Sequence, residues 1–151
     1  LPPRERVERF VAAELDLASG QANLSIIRIQ LATFAARENK RARQLNPLPA
    51  HDIIAAIKRV LRGADVFFRY SETEFVVVLT QTDSTAAAAV ANRIAEILTE
   101  VRPEVMESVQ PTFGVASAPA DGRTLADLVV AAERHRWIPA TPSNTRSPAV
   151  H

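Results

Sequence analysis

The stretch FFRYSETEFVVVL, residues 67–79, sets two hydroxyls and two carboxylates, Ser71, Glu72, Thr73 and Glu74, between two strand-like runs. Two-residue hairpin loops usually take asparagine or glycine, whose backbones accept a positive φ. The four polar residues are therefore either an ordinary exposed turn or the altered remnant of a site with a more demanding backbone. Carboxylate oxygens are the donors a metal would need in this chain, because it has no cysteine and its histidines, His51, His135 and His151, are scattered. Thiolate chemistry and a disulfide framework are excluded.

A length of 151 residues fits one domain. Hydrophobic residues at 47% and charged residues at 23% match ordinary globular usage. With 18 basic against 17 acidic residues, the net charge of +1 gives no general attraction to a polyanion, so a nucleic-acid partner is not expected. No apolar run reaches the roughly 18 to 20 residues of a membrane span, and the first residues do not resemble a signal peptide. The expectation is a cytoplasmic domain without direct membrane contact. The abrupt start at Leu1-Pro2-Pro3 reads as a fragment of a longer, multidomain protein.

The elements that must position the tip follow from periodicity. Val7, Phe10, Val11, Leu15 and Ala18 recur at helical spacing, which predicts a helix over 4–17 ending near Gly20. LSIIRIQLATF, residues 24–34, predicts a strand. Residues 35–46 are basic and weakly periodic, NPLP breaks the chain, and 50–61 is helical. Strands over 65–70 and 75–80 flank the tip. Asp83 caps an alanine-rich helix over 84–100, a strand follows over 109–118, and a last helix covers 124–137. Residues 1–138 form the domain and 139–151, rich in proline, an irregular tail. The order β-α-β-β-α-β with flanking helices predicts an α+β fold, a mixed central sheet in the split βαβ, ferredoxin-like arrangement. Such a fold hosts many activities, so the site must supply the function.

At FRYSETEFVVVL the sequence resembles the GGDEF family of diguanylate cyclase domains, whose signature RYGGDEF or RYGGEEF lies between two such strands. Arg69-Tyr70 and Glu74-Phe75 match it, whereas Ser71, Glu72 and Thr73 do not. Leu1-Pro2-Pro3-Arg4 resembles the end of the family's DxLTGLPNR segment, TFGVASAPADG at 112–122 its SIGVAxxPxDG, and Leu128 to Trp137 its LLxxADxALY. The resemblance implies a nucleotidyl-cyclase-like fold and a family chemistry that joins two GTP molecules into cyclic di-GMP with carboxylate-held metal ions. It also implies glycines at the tip, where backbone and nucleotide approach closely.

Those requirements fail here position by position. Aligned on Phe34, the family's DxDxFK run becomes Gln30-Leu31-Ala32-Thr33-Phe34-Ala35, without either acid or the lysine. Ser71 and Glu72 replace the glycines, Thr73 replaces the metal-binding acid, and Ala140 stands at the lysine position of the family's YxAKxxGRN. Gln and Thr do not replace carboxylates as magnesium ligands. The expectation is a degenerate domain with no catalytic residues, no metal and no cyclase activity.

Five residues before the signature many members carry RxxD, the product-binding inhibitory site. Here Arg62-Gly63-Ala64-Asp65 occurs at that offset from Ser71. An arginine fork can bond the O6 and N7 edge of guanine, and a carboxylate can accept from its N1 and N2 donors. Arg93 stands where the family has a further arginine that reaches a ligand held by a neighbouring domain, and Arg59 lies one turn before Arg62. The plainer readings are a helix-end arginine, a strand-bounding aspartate and a solvated helix arginine. His51, His135 and Trp137 read as surface or packing residues, and Arg37, Lys40, Arg41 and Arg43 as a solvated face or an anion contact. The resemblance thus implies a cyclic di-GMP receptor that regulates an attached domain or partner, or works as a homodimer. Two alternatives remain: a GTP-binding pseudo-enzyme that activates a neighbouring domain, and a ligand-free dimerisation or interaction module.

Overall fold

The computed structural model describes residues 1–17, 23–31, 50–101 and 103–138. The ordered elements are α1 (Arg4–Leu17), β1 (Leu24–Gln30), α2 (Ala50–Val60), β2 (Val66–Ser71), β3 (Glu74–Thr80), α3 (Ser84–Val101), α4 (Pro103–Val109), β4 (Thr112–Ala118), α5 (Leu125–Arg134) and β5 (Arg136–Trp137). Phe34, the basic residues 37–43, Ala140 and the tail 139–151 lie outside the described residues.

The strands form one sheet in the order β2-β3-β1-β4-β5. Every neighbouring pair is antiparallel, where the sequence suggested a mixed sheet. The reason lies in the split βαβ units: β1 and β2 run parallel but β3 lies between them, and β3 and β4 run parallel with β1 between them. The expected ferredoxin-like order is present.

Helices cover both faces. Val7, Val11 and Leu15 of α1 and Leu125, Leu128, Val129 and Ala132 of α5 close over Leu24, Ile26, Phe68, Val76 and Val78. On the other face, α2, α3 and α4 close over Ile27, Ile29, Phe75, Val77 and Leu79. Covering from both sides is why β3, EFVVVLT, is apolar without alternation. Phe68, Phe75 and Phe113 are fully buried, each contributing about 1.5 to 3 kcal/mol relative to exposure.

Three segments depart from the periodicity. Val109 belongs to a short helix, not to the following strand: Pro103 suits the first turn, and Gln110, at φ 44, ends the helix before β4 begins. The last helix stops at Arg134 rather than Trp137, because His135 turns the chain and Arg136–Trp137 pair with β4. Trp137 thereby packs on Phe113, with ring centroids 6.2 Å apart. At the hairpin, Ser71 pairs with Glu74 and the irregularity falls between Arg69 and Ser71, so the tip is only Glu72-Thr73. Neither tip residue has a positive φ. The irregularity leaves Tyr70 without a register partner on β3.

At the sheet end away from that tip, side chains join the strands in a row. Ser25 Oγ donates to Thr82 O at 2.6 Å and lies 2.6 Å from Ser117 Oγ, while Ser117 N donates to Asp121 Oδ2 at 2.8 Å. Asp83 caps α3 as expected, its Oδ1 accepting from Ala86 N at 2.8 Å. Thr124 caps α5 in the same way through Asp127 N.

Candidate functional site

Two groups of charged side chains sit at opposite ends of the sheet. The first is built where α2 ends and β2 begins. The Asp65 N–H donates to Arg62 O at 3.0 Å, closing a turn that brings the two side chains together. Asp65 Oδ2 accepts from Arg62 N at 3.0 Å and from Nε at 3.1 Å; Oδ1 accepts from Arg62 Nη2 at 3.2 Å and from Thr80 N at 3.2 Å. Both oxygens are thus taken up inside the chain, and the Asp65 side chain is 2% exposed while that of Arg62 is 59% exposed. The hydrogen bond to Asp65, then its charge, hold the Arg62 guanidinium above its ordinary pKa. What the pair leaves open to solvent is the outer edge of Arg62, with Asp65 as its brace.

Gly63 has open space around it: a Cβ there would meet nothing within 4 Å. Gly63→Ala is expected to leave stability unchanged or raise it by about 0.5 kcal/mol by stiffening the unfolded chain, read as the midpoint of urea unfolding. Arg93 lies on α3, half exposed, with an ion pair to Glu96 at 3.5 Å rather than to Asp65. Helices α2 and α3 pack against each other, so Arg59 and Arg93 belong to the same helical layer, while Arg62 follows the end of α2.

The second group lies at the hairpin end. Ser71 Oγ accepts from Thr73 N at 3.2 Å, and Arg69 donates from Nη2 to Glu72 O at 2.7 Å and from Nε to Ser71 O at 3.3 Å, fastening the tip. Phe75 is buried beneath it, and Leu31 N donates to Thr73 O at 2.8 Å. Glu74 does not face solvent as a free carboxylate. Its Oε2 accepts from Arg28 Nε at 2.8 Å and lies 2.7 Å from Nη2. Arg28 Nη1 donates to Val129 O at 3.1 Å and lies 3.2 Å from Glu133 Oε2, while Arg136 holds the other oxygen of Glu133 at 3.2 Å. The Tyr70 ring has Arg4 Cζ 4.2 Å from its centroid and Arg28 Cζ 5.7 Å away, and Arg4 Nη2 donates to Tyr70 O at 3.1 Å.

Gln30 and Thr73, which the sequence resemblance sets at the family's metal position, offer no carboxylate to a divalent ion. Gln30, paired in register with Glu74, brings a neutral amide whose buried Oε1 has no hydrogen-bond partner among the described residues. Thr73 brings a hydroxyl, and the nearby carboxylate already faces a guanidinium whose charge repels a second cation. Among the described residues no three His, Asp or Glu side chains gather as metal ligands. Sequence reasoning missed Arg28 and Glu133. The available signal was the one charged residue of LSIIRIQ, because a charge in a central strand requires a partner. His135 Nδ1 lies 3.3 Å from Val115 O on β4, a contact between the end of α5 and the sheet.

Among the described residues no helix is long and apolar enough to cross a membrane. No curated protein matches the chain. Solved structures do. The GGDEF domain of YfiN (TpbB) from Pseudomonas aeruginosa is similar at 24% identity and a TM-score of 0.65, covering 89% of this chain and 86% of that one. The active GGEEF domain of a diguanylate cyclase from Vibrio cholerae gives 20% identity and a TM-score of 0.69, covering 89% and 87%. The GGDEF domain of DgcB from Caulobacter crescentus, solved in complex with c-di-GMP, gives 15% identity and a TM-score of 0.66, covering 87% and 80%. At these identities the likeness shows the fold. The family profile described as diguanylate cyclase, GGDEF domain, matches residues 1–136. With that match over most of its length, the chain belongs to the GGDEF family.

Proposed function

We propose that this domain makes no cyclic di-GMP and instead receives it, through an Arg62 braced by Asp65 and with Arg93 as a second arm, and passes occupancy to an attached domain or partner. The observation that carries the reading is the held but exposed Arg62 guanidinium at the family's inhibitory-site position. A rigid, charged fork is the type of group that recognises guanine edges and phosphodiesters. The loss of synthesis is supported by Gln30, Thr73 and the Arg28–Glu74 pair, which leave the reaction without its metal ligands. A ligand shifts the arrangement of domains only as far as it prefers one of them, so Arg93 matters where a second domain shares the ligand.

Calorimetric titration of the purified domain with cyclic di-GMP tests the reading. Saturable binding is expected, weakened at least about tenfold by Arg62→Ala. Incubation with GTP and magnesium is expected to yield neither pyrophosphate nor cyclic di-GMP. A folded sample that takes up no heat at about 500 μM ligand, where even weak specific binding registers, sinks the receptor reading. Product formed from GTP overturns the claim of inactivity.

A further inference from the structure

Arg62 is held by more than Asp65. Its Nη2 donates to Thr80 O at 2.7 Å and to Thr82 Oγ1 at 2.9 Å. The Thr82 hydroxyl in turn donates to Thr80 O at 2.8 Å, which commits its hydrogen and leaves a lone pair for the guanidinium. Thr82 is itself fixed: it is 6% exposed, its N–H donates to Asn23 O at 3.0 Å, and its carbonyl accepts from Ser25 Oγ at 2.6 Å. The hydroxyl that meets Arg62 is thus anchored to β1 before any ligand arrives.

Nε and Nη2 are both engaged by Asp65, Thr80 and Thr82, and among the described residues the remaining donors of the fork are those of Nη1. An exposed arginine loses rotamer freedom when it closes on a ligand, whereas one already held loses less. We infer that Thr82 is a positioning residue for Arg62: its hydroxyl, acting with Asp65, holds the guanidinium against the end of β3 so that Nη1 is presented to the ligand in a fixed direction. This rests on the reading that Arg62 binds cyclic di-GMP.

Cyclic di-GMP is titrated into the wild-type chain, Thr82→Val, Thr82→Ser and Arg62→Ala, with a thermal melt of each sample to establish that it is folded. Thr82→Val keeps the shape and removes the hydroxyl, and is expected to weaken binding about three- to tenfold, the effect of one such hydrogen bond. Thr82→Ser keeps the hydroxyl and is expected to bind within about twofold of wild type, the rescue that a packing role would not give. If Arg62→Ala weakens binding while Thr82→Val binds like wild type, the inference fails and the receptor reading stands. If Thr82→Ser loses as much as Thr82→Val, the methyl group rather than the hydroxyl matters, and the inference is again overturned. If the wild-type chain does not bind, or Arg62→Ala binds equally well, the receptor reading itself is what fails.

Discussion

Replacing Arg28 with leucine will lower the unfolding free energy by about 3 kcal/mol, the scale of breaking a buried ion pair from one side. The guanidinium meets Glu74 through two nitrogens and reaches Glu133 and the Val129 carbonyl through the third. Its side chain is 14% exposed and that of Glu74 is 18%, so water cannot readily take over the abandoned charge. Without Arg28, the Glu74 and Glu133 carboxylates lose a shared counter-charge between β3 and α5. Glu74→Gln in the Arg28→Leu background is therefore expected to recover part of the loss, since it removes one orphaned charge. Lysine at position 28 is expected to recover little, because one ammonium cannot serve three acceptors with the reach of a planar fork. Urea unfolding of the single and double variants reads these differences; an Arg28→Leu protein as stable as wild type contradicts the account.

Gly114→Ala is the second large effect, expected at about 3 kcal/mol and measured in the same unfolding experiment. Gly114 sits opposite Arg28 on β1 and faces α5. A Cβ there would overlap the carbonyl oxygen of Ala132, with the Ala132 carbonyl carbon at 2.9 Å, and the obstructing atoms are helix backbone that no rotamer change can clear. Relief requires α5 to lift off β4, which also draws Val129 O away from Arg28. Gly114→Ala and Arg28→Leu should therefore be less than additive, because each loosens the same junction. A Gly114→Ala protein within about 0.5 kcal/mol of wild type, the range of ordinary surface substitutions, contradicts this packing. The contrast with Gly63, where a Cβ has open space, shows that Gly63 and Gly114 serve different ends.

Much of the fold was legible where one physical rule dominated. The face of Val7, Val11 and Leu15 marked α1, the apolar run of Phe75 to Leu79 marked a strand, and Asp83 marked a helix start. Legibility failed where long-range contacts overrode local pattern. Val109 looked like a strand start, yet Pro103 and Met106 make a helical turn against the core. Trp137 fitted a helix in sequence, but the edge of β4 captured it. At the site, the spacing of Arg62 and Asp65 was visible and their mutual engagement was not. Spacing says which residues meet; it does not say that Thr80 N and the Arg62 backbone also claim the carboxylate. Arg28 was illegible as a partner of Glu74 for the same reason, since the register of β1 on β3 brings together residues 46 positions apart.

The row of hydroxyls across the far end of the sheet has a mechanical consequence. Arg62 touches Thr82, Thr82 touches Ser25, Ser25 touches Ser117, and the Ser117 backbone is tied to Asp121 in the turn before α5. A molecule pressing on Arg62 therefore bears on strands β3, β1 and β4 in series, not on a flap that swings aside. If Arg62 receives cyclic di-GMP as proposed, the domain would meet it as a fixed abutment, and any travel that results would be made by what lies across the ligand from it.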